Sequence, residues 1–327
     1  MIGPVQAGLT AIAWLVAAAW WTAPQLSTVA VDWQWSAWIP DWAWLIGVAG
    51  CGLPAMLLIP WSGSGRMVRL VLTLAAFAGP LRGVALRDVG WGGASPDPRV
   101  RIVFLNAQSP SEPDAATDIG SIEALDPDLV LVANPGWIAP TWRAMTAARR
   151  DAGEPGVWTI RWRSPVMAAS MAGACSLRTL VADGEIRVVR VGLPESLAAR
   201  LGRTHVVVVD LPSDPELDRE AVADRLLAGL EKIEAGPLDR HGLVLGDFNM
   251  TPRTPALVRL RGGLRDLVSE SGSGWTATWP RDRPLLRIDQ VLGDVPNGVR
   301  IETFDPGAGG HLGFVIDLPV AAAGAEP

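Results

Sequence analysis

Asp247 and Asn249 stand two residues apart in the stretch "HGLVLGDFNMTP", residues 241–252, where an apolar run ends at Gly246. A buried strand turns alternate residues to one face, so this spacing points the acid and the amide the same way and sends Phe248 into the core. At a strand end, where the sheet fixes the backbone and the loop exposes side chains, such a pair can activate a water and hold a phosphoryl oxygen. The same letters also suit an Asx turn, in which an aspartate binds the backbone two residues on.

The elements that must position such a pair are those of a soluble α/β domain. Strand-like runs fall at 100–106, 129–133, 157–162, 186–191, 205–211, 243–246, 288–293, 299–304 and 313–318. The clearest helical patterns are 118–125, 141–152 and 216–235, the last with Leu217, Val222, Leu226, Leu230 and Ile233 along one side. Strands outnumber helices, so simple βαβ alternation is unsuited, and a two-sheet core with helices outside is expected.

The chain has 327 residues, a net charge of −6 and a single lysine, Lys232. No basic run marks a duplex-DNA footprint, so nucleic acid is not indicated as a partner by charge. Cys51 and Cys175 lie far apart, and the three histidines, His205, His241 and His311, lack zinc-like spacing. His205 and His241 are expected to be structural.

The N-terminal region, residues 1–87, differs in kind. Segments 5–23 and 44–59 are apolar, and nine of the sixteen tryptophans fall within the first 61 residues. Tryptophan concentrates at the membrane–water boundary, and a spanning helix needs roughly 20 apolar residues. A third segment, 67–86, holds Arg69 and Arg82 near its ends, and is either a short span with snorkelling arginines or an amphipathic helix. Two to three transmembrane helices are expected, making an integral plasma-membrane protein whose partner there is the lipid bilayer. Arg66 and Arg69 place the second loop in the cytoplasm; three spans then put the polar domain outside it, and two put it inside. Residues 88–99, rich in Gly, Pro and Ser, form the expected linker, and 321–327 a frayed tail.

Over residues 100–320 the order of segments resembles the endonuclease/exonuclease/phosphatase superfamily, of DNase-I-like fold. "RIVFLNAQ" resembles the family's opening strand ending in Asn106, and "DPDLVLVANPG" its second strand. "GDFNMTP" matches nearly letter for letter, "TWPRDRPLLRIDQVL" resembles the aromatic-to-R-I-D segment, and "GGHLGFVIDLPV" the closing strand with its histidine. The resemblance implies a four-layer α/β/β/α sandwich and metal-dependent hydrolysis of a phosphate ester, with Mg2+ or Mn2+. It implies that Asp247 activates water, that Asn106 and Asn249 contact phosphate or metal, and that His311 stabilises the phosphorane charge. Asp289 would hold the His311 ring in its tautomer.

Several positions depart from the pattern. Asn134 stands where the family has a metal-binding glutamate, Gly310 where an aspartate precedes the histidine, and Gln108 where an acid often follows the first asparagine. Asp210 stands where the family has a histidine after an apolar run, and is a candidate substitute for the missing charge. Asn134 and Asp210 are thus the remaining candidates for metal ligands. Losing both carboxylates weakens metal binding. Two functions follow: a membrane-anchored phosphoesterase, or a non-catalytic relative that keeps the fold as a binding or assembly module.

Overall fold

A computed structural model describes residues 89–91, 97–295 and 297–321. The segments expected to span a membrane lie outside the described residues. Among the described residues, no helix is long and apolar enough to cross a membrane.

Two mixed sheets stack face to face. The larger contains β1 (Val89–Trp91), β2 (Arg99–Asn106), β3 (Leu129–Ala133), β4 (Thr159–Arg163), β5 (Val166–Ser170), β11 (Gly272–Trp275), β13 (Arg300–Phe304) and β14 (Gly313–Pro319). Its strand order is β1-β11-β13-β14-β2-β3-β5-β4. The smaller sheet contains β6 (Ser176–Asp183), β7 (Ile186–Gly192), β8 (His205–Asp210), β9 (Leu243–Asp247), β10 (Arg265–Asp266) and β12 (Asp289–Gly293), in the order β10-β12-β9-β8-β7-β6.

Alternation explains the layers. Ile102 and Phe104 of β2, Val206 and Val208 of β8, and Leu243 and Leu245 of β9 meet in the core between the sheets. Val103 and Leu105 face outward onto α1 (Glu112–Glu123) and α2 (Ile138–Asp151), through Ile119, Ile122 and Trp142. On the other side Val207, Val209 and Val244 pack under α4 (Arg219–Lys232) and α5 (Pro255–Arg261). Two further short helices, α3 (Glu195–Leu201) and α6 (Leu267–Ser271), complete the described set. The result is the expected α/β/β/α order.

Differences from the sequence reading have local causes. Part of the expected linker is strand: β1 pairs antiparallel with β11, and β2 begins at Arg99. β5 is buried throughout but filled largely by Ala168, Ala169 and Ser170, without the Val and Leu run of its neighbours, and β6 is half exposed with polar residues on it, so neither carries a strand signal. α1 begins at Glu112, with a proline in its first turn, rather than at 118.

Candidate functional site

The inward-facing rows of the two sheets end in polar residues. On β2 the row Ile102, Phe104 continues to Asn106; on β8, Val206 and Val208 lead to Asp210; on β9, Leu243 and Leu245 lead to Asp247. On β12 the inward Val291 lies two residues from Asp289. Strand register sets Asp210 beside Asp247 and Asp247 beside Asp289. Three carboxylates therefore end three adjacent strands of the smaller sheet, facing Asn106 of the larger one.

Gly246 is required at its position. Its φ is +153°, and a Cβ there would overlap the carbonyl oxygen of Val209 on the neighbouring strand. Beyond it the chain leaves the sheet. Asn249 has a left-handed φ of 50°, and its backbone N–H donates to Asp247 Oδ1 at 2.8 Å. The expected two-residue strand alternation is thus replaced by an Asx turn, which is itself what brings Asn249 to the site. The Asn249 amide donates to the Leu211 carbonyl at 2.7 Å, and Phe248 is buried in the core as expected.

A chain of hydrogen bonds links the two sheets. Asn106 Nδ2 donates to Asp247 Oδ2 at 2.8 Å, while Asn134 Nδ2 donates to Asn106 Oδ1 at 3.3 Å and to Asp210 Oδ1 at 3.1 Å. Asn134 has a φ of 48°, the turn conformation its Pro-Gly sequel suggests, and its N–H donates to the Pro165 carbonyl. His311 joins from the loop before β14. Its Nδ1 lies 2.7 Å from Asp289 Oδ2, and its Nε2 lies 3.9 Å from Asp247 Oδ2. That loop is fixed by the Gly310 carbonyl, which accepts from Arg281 N–H, and by Leu312 N–H, which donates to Thr278.

The electrostatics are those of an acid–base pair held out of water. Burial opposes a charge on His311, but the Asp289 carboxylate, with Asp247 and Asp210 behind it, outweighs burial and raises the ring to about 9. Burial, then the adjacent Asp289, pushes Asp247 well above the usual carboxylate range, against the pull of His311. Burial likewise lifts Asp210 to about 6, opposed by the Asn134 hydrogen bond.

The residues do not fit a divalent ion at the position the resemblance assigns to one. Magnesium takes oxygen ligands, chiefly carboxylates and waters. Both acceptors of Asn134 are oxygens, so its amide must present N–H there and its side chain acts as a donor. Asn134 and Asp210, the expected ligands, are tied to each other. At residue 310 there is no side chain, and the Gln108 carboxamide fills the space where a Cβ would stand. Asp247, Asp289 and His311 do bring ligand atoms within 4.8 Å of one another. Yet both ring nitrogens of His311 are already engaged, Nδ1 with Asp289 at 2.7 Å and Nε2 with the Gln108 carboxamide at 2.9 Å.

The site opens into a cleft of about 360 Å³. Asn106, Asn134, Asp210, Asp247 and Asn249 line it, with Gln108 on one side. Ser164 and Pro165, between β4 and β5, and Glu185 and Arg187, between and within β6 and β7, make its walls. The wall residues were not legible in the sequence. Arg187 is one of several charged residues on β6 and β7, and only the register opposite Asp210 brings it to the site. His205 and His241 lie away from the cleft, at the other end of the smaller sheet.

Comparison with known proteins places the chain. Its structure is similar to D. rerio TDP2 complexed with single-strand DNA product, at 16% identity over 68% of this chain and 99% of that one, with a TM-score of 0.46. It is similar to the endonuclease domain of TRAS1, a telomere-specific non-LTR retrotransposon, at 16% identity, 68% and 99% coverage and a TM-score of 0.44. It is also similar to the human Nocturnin catalytic domain with bound sulfate, at 16% identity, 70% and 96% coverage and a TM-score of 0.45. No curated protein matches. The family model described as Endonuclease/Exonuclease/phosphatase family matches residues 142–308, a span that holds Asp210, Asp247, Asn249 and Asp289. With just over half its length matched by that model, the chain belongs to the endonuclease/exonuclease/phosphatase family.

Proposed function

We propose that the domain is a membrane-tethered hydrolase of phosphoric esters whose acid–base chemistry runs on Asp247 and the Asp289–His311 pair. One observation carries this: Asp247 Oδ2 lies 3.9 Å from His311 Nε2, and Asp289 holds the far side of the ring at 2.7 Å. A base on the floor of the cleft thus has a buried cationic donor behind it. A carboxylate whose pKa is raised by burial and by the adjacent Asp289 is a stronger base than an exposed one, which suits general-base catalysis. A water attacking phosphorus gives its proton to Asp247 as the P–O bond to the leaving group breaks, and the departing alkoxide takes up a proton from solvent. Charge developing on the phosphoryl oxygens is met by the His311 ring and the amides of Asn106 and Asn249. Asp289 keeps the ring protonated and oriented.

The tether is the apolar segments 5–23, 44–59 and 67–86, three spans that put the domain on the extracytoplasmic side. Their composition supports this reading, and cysteine accessibility at engineered positions in residues 88–99, in intact cells, tests it. Labelling only after permeabilisation would put the domain in the cytoplasm.

A second reading, a binding or assembly module without turnover, draws on the carboxamide at 134. Full-length protein is assayed on bis-p-nitrophenyl phosphate and p-nitrophenyl phosphate, in Mg2+, in Mn2+ and in EDTA. Turnover removed by Asp247→Asn supports the hydrolase. Absence of turnover in every condition, with phosphate esters still bound, supports the module.

A further inference from the structure

Asp210 and Asp247 on the floor of the cleft repel a phosphate ester, and in this chain the family's metal-binding acids at 134 and 310 are absent. A positive group facing the cleft must offset that repulsion. His311 is buried, with its Nε2 under Gln108. Arg219 is buried as well, and donates to the carbonyls of Pro212 at 2.7 Å and Asp214 at 2.8 Å, so it braces a loop.

Arg187 is different. It is the second residue of β7, it lines the cleft, and it pairs in register with Asp210. Its Nη1 donates to the carbonyls of Ile186, at 2.9 Å, and Gly184. Among the described residues, its Nε and Nη2 make no hydrogen bond and no carboxylate lies within ion-pair distance of it. Elsewhere Arg101, Arg149, Arg225 and Arg287 are each held by a carboxylate. The hairpin that carries Arg187 is pinned from the helix side, because Arg225 of α4 donates to the Asp183 carboxylate at 2.9 Å and to its carbonyl at 3.3 Å. A guanidinium with an unoccupied edge, on a fixed strand, in a cleft floored by acids and amides, is built to meet an anion with two parallel N–H donors.

We infer that Arg187 is the phosphate-binding residue of this cleft and supplies the positive charge for recognition without a divalent ion. This rests on reading the cleft as a phosphate-ester site, but concerns binding and not turnover. The ligand class is a phosphate mono- or diester dianion or monoanion that presents two oxygens to the guanidinium edge. Ser164 and Glu185 on the two walls flank the remainder of the ester.

The test is calorimetric titration of full-length protein with inorganic phosphate and with dimethyl phosphate, in EDTA. Wild type is expected to bind phosphate under chelation, Arg187→Ala to bind at least tenfold more weakly, and Arg187→Lys to fall between, since a lysine keeps the charge but not the fork. Arg259→Ala, which removes two surface ion pairs outside the cleft, with Glu220 and Asp224, is expected to leave affinity unchanged. Equal melting temperatures for wild type and Arg187→Lys show that a loss is local. Binding that appears only with Mg2+, or an Arg187→Ala variant with wild-type affinity, overturns the assignment. Turnover with unchanged phosphate affinity in Arg187→Ala sinks Arg187 and leaves the hydrolase standing. Arginine-dependent binding without turnover does the reverse.

Discussion

β8 and β9 each have a histidine near one end and an aspartate at the other. His205 opens β8 and His241 lies just before β9, while Asp210 and Asp247 close them. At the first end His205 Nε2 and His241 Nδ1 meet at 3.3 Å. Burial, then Arg190 and His205, lowers His241 to about 4. At the other end His311 is as buried as His241, yet Asp289 raises it to about 9. Burial acts in the same direction on both rings, so the partner decides. An imidazole among cations stays neutral and packs; one against a carboxylate becomes a fixed cation beside a base. That contrast separates a histidine pair that packs from a histidine poised beside acids more sharply than residue type or exposure does.

The largest effect should come from breaking the acid end. Asp247→Asn is expected to lower kcat by about 10²- to 10⁴-fold, the range for losing a general base, while the NMR shifts of His205 and His241 stay in place. A variant with undiminished turnover would remove Asp247 from the chemistry.

Converting one end toward the other comes next. Asp289→Asn leaves His311 buried without its carboxylate, and its pKa should fall from about 9 to near or below the ordinary 6.5. Ring-carbon NMR titration reads this directly, and His241 should not move. The linkage has a definite sign. Because the folded pKa of His311 is raised, its stabilisation is complete below pH about 6.5 and is lost as pH rises through about 9. The melting temperature of wild type should therefore fall across that window, and that of Asp289→Asn should fall less. Asp210, raised to about 6, gives a slope of the same sign at lower pH.

Restoring acids at the amide positions should produce metal binding. Asn134→Glu with Gly310→Asp and Gln108→Ala is expected to gain Mg2+-dependent stabilisation of about 2.7 kcal/mol at a hundredfold excess over Kd, which wild type lacks. Equal thermal shifts for the two proteins would show that the native residues already hold the ion.

The smallest effect sharpens the basic end. Arg190→Gln removes one of the charges that lower His205 and His241 and should raise both pKa values slightly, because burial, the larger cause, is untouched. His241 carries the opposite linkage to His311: its stabilisation is present above pH about 6.5 and lost as pH falls through about 4.

How much of this could be read along the chain depends on whether the signal was local. The apolar run before Asp247, and the strands ending at Asn106 and Asp210, were legible because both faces of each are buried, which leaves a continuous run of large apolar residues. The carboxylate row was not, since it exists only through the register of β8, β9 and β12. Asn249 was expected at the site for a strand reason and arrives there through a turn. Arg187 was missed because nothing adjacent to it in sequence lies on the cleft floor. β6 was missed because a half-exposed hairpin strand mixes polar and apolar residues on both its faces.

The Gln108 carboxamide resting over Gly310 makes the order of sequence change matter. An aspartate introduced at 310 alone collides with it, and Gln108 must first shorten or turn aside. Replacing Gln108 first leaves the fold intact but uncovers His311 Nε2. The two positions are therefore coupled: an acid at 310 is accommodated where Gln108 shortens or swings aside, and either change uncovers the imidazole.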